Sequence, residues 1–298
     1  MAKPGELVST RTTVIHTPAS HGQQHIVDQL IAERGETLAS SWAWPLLKPL
    51  LYRILHYHDA VRMADEIASL SGFEAMAYVS DLLKLDLKIT GADRIPRDGA
   101  FILAANHPTG IADGVAVYDA LKAARSDISI FTNRDAQRIN TRFNDILIPV
   151  EWRDELRNHT KAKETLRLSS QAFREKRAVV IFPSGRIAYW QDGCLNERPW
   201  QASFVTLARR HKVPVLPVHV RSRNSGLFYW FANWNTELRD MTVFHELLNK
   251  KGKTLQIHFG PLIENDHLVG DTTTLTERLQ HHCVHGLARD PDTKFVPE

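Results

Sequence analysis

The sequence predicts an α/β protein. A largely parallel sheet is flanked by helices, and an N-terminal helical, membrane-associating segment precedes it. Three observations predict this. Short, unbroken apolar runs recur from residue 99 onward, as strands buried on both faces require. Stretches with apolar residues at helical spacing separate several of these runs. Ahead of the first run the composition differs, with leucines and aromatic residues packed around two cations.

Residues 1–25 are polar, rich in Ser and Thr and without period, and read as a flexible leader. Residues 26–84 form the helical, interfacial segment, and residues 85–298 form the main domain. Within "SWAWPLLKPLLYRILHYH", Leu47, Leu50, Leu51, Ile54 and Leu55 fall at helical spacing beside Lys48 and Arg53. Pro45 and Pro49 confine the regular helix to the part from Pro49 onward. "DAVRMADEIASLSGFEAMAYVSDLLKL" continues as helix. The strands then expected are "GAFILAA", "DISIF", "DILIPV", "RAVVIFP", "VPVLPVHV" and "TLQIHFG". Helices are expected over "GVAVYDALKAA", "TKAKETLRLSSQAFREK" and "WQASFVTLARRHK". Prolines bracket "VPVLPVHV", which places it at a wall or edge and not at a central pairing position.

Bulk properties narrow the class. With 298 residues, 43% hydrophobic and 24% charged, the chain is globular and not disordered or fibrous. A net charge of +3 suits an anionic partner such as a phosphate ester or a membrane surface. Two cysteines, Cys194 and Cys283, make no disulfide framework and fit a reducing compartment. The first twenty residues have no apolar core, so no secretory signal is expected. No run reaches the roughly 20 apolar residues that span a bilayer, so the expectation is a soluble or peripheral protein.

Several stretches read blandly. "HHCVH" brings His281 and His285 one helical turn apart, but without a further ligand cluster it reads as a solvated terminal helix, and no metal site is expected. "RSRNSGLFYWFANW" alternates poorly for nucleic acid, so packing or membrane contact is the better reading, with no nucleic-acid partner. "FHELLNKKGK" is a helix with a basic C-terminal end.

The chemistry gathers where strands end. In "LAANHPTGIADG", His107 follows an apolar strand, and Asp113 comes six residues later. An imidazole can take a proton from a hydroxyl at neutral pH if a carboxylate fixes its tautomer. Six residues are about 240° on a regular helix, so the two meet only if Pro108 and Gly110 turn the chain. The alternative is a strand-end histidine with Asp113 as the N-cap of the next helix. "VVIFPSGR" likewise ends a strand, and its turn offers the Ser184 hydroxyl, Gly185, backbone N–H groups and the Arg186 guanidinium as an anion cradle, unless it is an ordinary turn with a solvated arginine. "ILIPVEWRD" delivers Arg153 in the same way. Ser184 lacks the G-x-S-x-G elbow of a serine hydrolase.

In order, these blocks resemble the glycerophospholipid (lysophosphatidate-type) acyltransferase family over about residues 85 to 262. Asn106, His107 and Asp113 match the first family block, Ile148 to Arg153 the second, and Phe182, Pro183, Gly185 and Arg186 the third. Val213, Pro214 and Pro217 match the fourth. This chain has five residues between His107 and Asp113 where the family has four, and Ser184 stands where the family has Glu. The missing Thr brings Arg186 one place early. The pattern is similar to an outlying branch often labelled hemolysin-like or lyso-ornithine lipid acyltransferases. The resemblance implies an O-acyltransferase of phospholipid biosynthesis, with acyl-CoA or acyl-carrier protein as co-substrate and no other cofactor. The acceptor would be a 1-acylglycerol-3-phosphate-like lysolipid or a lyso-ornithine lipid. His107 and Asp113 would be catalytic. Arg153, Ser184, Gly185, Arg186 and Pro217 would bind substrate. The protein would lie in the cytoplasm, peripheral on the inner membrane. A non-catalytic lipid-binding protein and a hydrolase passing the acyl group to water stay open at this point.

Overall fold

The computed structural model describes residues 24–151 and 158–297. Helices α1 (Ile26–Arg34), α2 (Glu36–Ala39), α3 (Trp44–Ile54), α4 (Tyr57–Ile67) and α5 (Gly72–Leu83) come first. Strand β1 (Asp86–Thr90) follows, and then β2 (Phe101–Ala105), α6 (Ile111–Leu121), β3 (Ile128–Asn133), α7 (Asp135–Ile139), β4 (Leu147–Val150), α8 (His159–Arg174) and β5 (Ala178–Ile181) alternate. A hairpin of β6 (Tyr189–Gln191) and β7 (Cys194–Asn196) leads to α9 (Ser203–His211) and β8 (Val215–Arg221). The chain continues through α10 (Gly226–Trp234), α11 (Thr236–Met241), α12 (Val243–Leu248), β9 (Thr254–Phe259), α13 (Thr272–His281) and α14 (Leu287–Arg289).

Among the described residues seven strands form one sheet in the order β1-β9-β8-β2-β5-β3-β4. Every pairing is parallel except that of β8 with β9. Period-2 geometry sorts the side chains of each strand between two layers. Phe101, Leu103 and Ala105 of β2 pack with Val117 and Leu121 of α6, while Ile102 and Ala104 pack with Phe173 of α8 and Phe204 of α9. Both faces of the sheet are thus covered, as continuous apolar strands require.

A third apolar cluster joins the N-terminal helices to α10–α12, through Leu30, Leu55, Met63 and Leu83 on one side and Phe231, Met241 and Phe244 on the other. A polar knot ties α1 to the helices after it. Asp28 accepts hydrogen bonds from Tyr52 (2.8 Å) and Tyr57 (2.5 Å) and pairs with Lys48 at 3.0 Å. Burial alone would raise the Asp28 pKa, but these donors outweigh it and hold the carboxyl below its ordinary value.

Four readings of the sequence need correction. β8 is an interior strand, between β2 and β9, and not an edge. Its Pro217 is tolerated because the missing N–H faces Gly260, one residue beyond β9, where only Gly260 N–H donates, to Pro217 O at 2.9 Å. Helix α3 begins at Trp44 and runs through Pro49, with Pro45 in the first turn, where no N–H partner is needed. "HHCVH" is not a solvated helix: α13 passes into a π turn at His282–Gly286 that buries His282 and Cys283. Strand β1 and the β6–β7 hairpin went unread.

Candidate active site

Parallel β2 and β8 end on the same side of the sheet, and the residue after β2 fastens them together. Asn106 donates from Nδ2 to Val220 O at 2.9 Å and accepts from Val220 N at 2.7 Å through Oδ1. The side chain thereby imitates one more step of backbone ladder.

His107 follows, held on all sides. Its backbone N–H donates to the Glu197 carboxylate, 3.1 and 3.2 Å from the two oxygens, and its carbonyl accepts from Ala188 N at 2.9 Å. Its ring stacks on Phe182 with centroids 4.4 Å apart. Nδ1 lies 3.0 Å from Oδ2 of fully buried Asp113. That separation is a close electrostatic contact with the oxygen off the N–H axis, since among the described residues no acceptor meets Nδ1 with hydrogen-bond alignment.

The turn expected at Pro108 to Gly110 is what brings the two together. Gly110 has φ +85°, and a Cβ there would lie 2.8 Å from Ile187 Cδ1, so the position favours glycine twice over. Asp113 is not the N-cap of α6 but its third residue. From there it accepts from Thr109 N (2.8 Å), Gly110 N (3.0 Å) and the Thr109 hydroxyl. One carboxylate therefore ends the helix and faces the imidazole.

The "FPSGR" turn is less open than its sequence suggests. Ser184 is buried, and its hydroxyl donates inward to Arg186 O at 2.9 Å. Gly185 is exposed with φ +60°, and its N–H is taken by Phe182 O at 3.0 Å, so it is not a free oxyanion donor. Arg186 is exposed. Pro217 lies buried within β8 and not on the wall of the cavity described next. Arg153 falls outside the described residues.

Glu197 is the residue that sequence reading missed. Burial raises its pKa, opposed by the Ser184 hydroxyl and by His107. It stands just after the β6–β7 hairpin, whose Asp192-Gly193 turn has both residues at positive φ, as a two-residue I′ hairpin requires. That Asp-Gly pair was the available signal for the hairpin, though not for the contact with His107. Glu197 and Asn106 line a cavity of about 1100 Å³ beyond the ends of β2 and β8, with Val220, Arg221, Tyr229 and Lys250 among its other walls.

Comparison with known proteins bears on this site. Residues 86–221, which include His107, Asp113 and the "FPSGR" turn, match the family model described as Acyltransferase. Lyso-glycine lipid O-acyltransferase of Bacteroides thetaiotaomicron is 22% identical over 216 residues, covering 70% of this chain and 78% of that protein. The protein of the same name from Phocaeicola vulgatus is 23% identical over 184 residues, covering 61% of this chain and 64% of that one. The crystal structure of the 1-acyl-sn-glycerophosphate (LPA) acyltransferase PlsC from Thermotoga maritima aligns with 87% of this chain and 97% of its own. The TM-score there is 0.46 at 13% identity.

Proposed function

Residues 86–221 match the acyltransferase family model, and from that premise we propose that the chain moves a fatty acyl group onto a lysolipid hydroxyl. The donor in this reading is acyl-CoA or acyl-carrier protein, a co-substrate, and the step uses no further cofactor. The observation that carries it is the fixed imidazole of His107 with Nδ1 facing buried Asp113 at 3.0 Å. With Nδ1 turned to that carboxylate, Nε2 is the nitrogen that takes the proton of the acceptor hydroxyl. The oxygen attacks the thioester carbonyl, forming a C–O bond. The tetrahedral intermediate then collapses, breaking the C–S bond, and His107 returns its proton to the departing thiolate. Asp113 stabilises the transient imidazolium.

The names of the two lyso-glycine lipid O-acyltransferases support a lysolipid acceptor. Within that class we favour an anionic headgroup, either a 1-acylglycerol-3-phosphate-like phosphate or an amino-acid group of the lyso-ornithine kind. Association with the membrane is the second part of the reading, as a peripheral protein on the cytoplasmic side of the inner membrane. Among the described residues no helix is long and apolar enough to cross a membrane. Trp42 (88% exposed), Leu46 and Leu50 instead present an apolar face beside Lys48 and Arg53, the pattern of a helix lying in a lipid interface.

The test is acyl transfer by the purified chain, with labelled acyl-CoA or acyl-carrier protein and a panel of lysolipids. His107→Ala is expected to lower the rate about 10² to 10⁴-fold with an unchanged circular dichroism spectrum, and Asp113→Asn to lower it less. A folded His107→Ala protein with near wild-type turnover would overturn the mechanism.

A further inference from the structure

The cavity is lined by Asn106, Ala188 and Glu197, which adjoin His107 in the chain or bond its backbone, and it has a strongly unequal distribution of charge. Arg221, Arg223, Lys250 and Lys253 all line it, while Glu197 is its sole carboxylate among the described residues. Lys250 is already matched. It is buried, pairs with Glu246 at 3.1 Å, and donates to Asn224 Oδ1 at 3.2 Å and Asn249 Oδ1 at 2.9 Å. Glu246 also accepts from Ser225 N at the start of α10, so that helix end is satisfied as well. Arg221, Arg223 and Lys253 are different. All three are exposed, and none forms an ion pair among the described residues. Asn224 lines the same cavity, 4% exposed, and its Nδ2 has no acceptor among the described residues.

The position of Arg221 is set by the clamp that also sets His107. Asn106 is hydrogen-bonded to Val220 through both side-chain polar atoms. One residue past that clamp on one strand end stands His107, and one residue past it on the other stands Arg221. The same cavity is also lined by Trp190, Leu195, Tyr229 and Val284. Cationic and apolar side chains lining one cavity suit an amphiphile, whose charged group and hydrocarbon part need different surroundings.

We propose that Arg221, Arg223 and Lys253, with the unpaired Nδ2 of Asn224, form the anion-recognition site of this enzyme, holding the phosphate- or carboxylate-type group of a substrate next to His107. The proposal deepens the acyl-transfer reading and rests on it for the identity of that substrate. It moves anion recognition away from Arg186, which does not line the cavity. The shared chemistry has two sources, the headgroup of the acceptor and the phosphates of the donor. Guanidinium groups hold either one through paired hydrogen bonds.

Two measurements test it. In the first, steady-state kinetics on wild type, Arg221→Ala, Arg223→Ala, the double variant and Lys253→Ala vary donor and acceptor separately. A lysophosphatidate and an uncharged monoacylglycerol of the same chain length serve as acceptors. A site for the acceptor headgroup raises the KM for lysophosphatidate about ten- to a hundredfold in the double variant, with the monoacylglycerol and acyl-CoA values unchanged. A site for the donor raises the acyl-CoA KM instead. Either pattern supports the proposal. In the second, calorimetric titration measures binding of a short-chain lysophosphatidate below its micellar concentration and of CoA, without turnover. Loss of either affinity in the double variant, together with weaker wild-type binding as salt rises, supports an anion site even if no acyl transfer is found. A wild type that fails to transfer acyl groups yet binds these anions through Arg221 and Arg223 would sink the function and spare the site. A folded double variant with wild-type KM values and wild-type affinity for both anions overturns the proposal.

Discussion

In Asp113 one buried carboxylate takes two backbone N–H groups at the start of α6 and faces the His107 ring from 3.0 Å. The sequence posed these as rival readings, cap or catalytic partner, and the fold makes them compatible because Asp113 enters the helix at its third position. Glu197 anchors the other side by accepting the His107 backbone N–H. Replacing it with Gln keeps an acceptor at that place, so Glu197→Gln is expected to retain turnover within a few-fold. Glu197→Ala is expected to lose about tenfold, the effect of a missing hydrogen bond of about 1.4 kcal/mol on the position of the base. Equal kcat values for the Gln and Ala variants would remove Glu197 from the positioning of His107. The difference in legibility between the two carboxylates is physical. Asp113 is local to His107, and turn residues announce their meeting, whereas Glu197 arrives from 90 residues away. No local pattern encodes such a contact. For the same reason Ser184 read as an open hydroxyl, although the burial of the turn points it inward.

Whole elements were easier to read than their partners. Each of the six apolar runs became a strand of the sheet, because burial on both faces leaves little choice of residue. The three strands missed are those with weak apolar signal. In β1 only Leu87 and Ile89 are apolar, and β6 and β7 are three residues each. β8 was read as an edge because Pro217 cannot donate, yet that one donor faces a place where the β9 ladder has already ended. Helix α3 separates its residues by face in a way that composition could not. Leu51 and Tyr52 are buried, while Trp42 in the preceding turn, Leu46 and Leu50 are exposed. Binding to anionic liposomes is therefore expected to weaken at least severalfold when Trp42, Leu46 and Leu50 become Ser, with little change in thermal stability. Replacing Leu51 should instead lower stability, since it belongs to the apolar cluster. Unchanged co-sedimentation of the triple variant would make the exposed face irrelevant to lipid.

For the molecule as a whole, acid sensitivity follows from a histidine held neutral. Burial pushes His219 down to about 4, with His258, Arg221 and His285 acting in the same direction and the Cys283 carbonyl opposing them. A depressed folded pKa means that the unfolded chain binds the proton more readily. Stability is then fully present above pH 6.5 and declines as pH falls toward 4, by about 3 kcal/mol if His219 acts alone. Urea denaturation at intervals from pH 7.5 to 4.5 should show that decline, and His219→Gln should flatten it. A variant with the same pH dependence as wild type would assign the loss to other groups. The Asn106 clamp has a consequence of another kind, in the order of events during folding. It joins residues 114 apart in the chain, and β5, β8 and the Glu197 anchor must all be in place before His107 has its surroundings. Such distant closures come late, after local helices have formed. Catalytic competence is thus expected to be the last property the refolding chain regains. Far-UV ellipticity should recover in an earlier phase than acyl transfer after dilution from urea, and Asn106→Ala should widen the interval between the two.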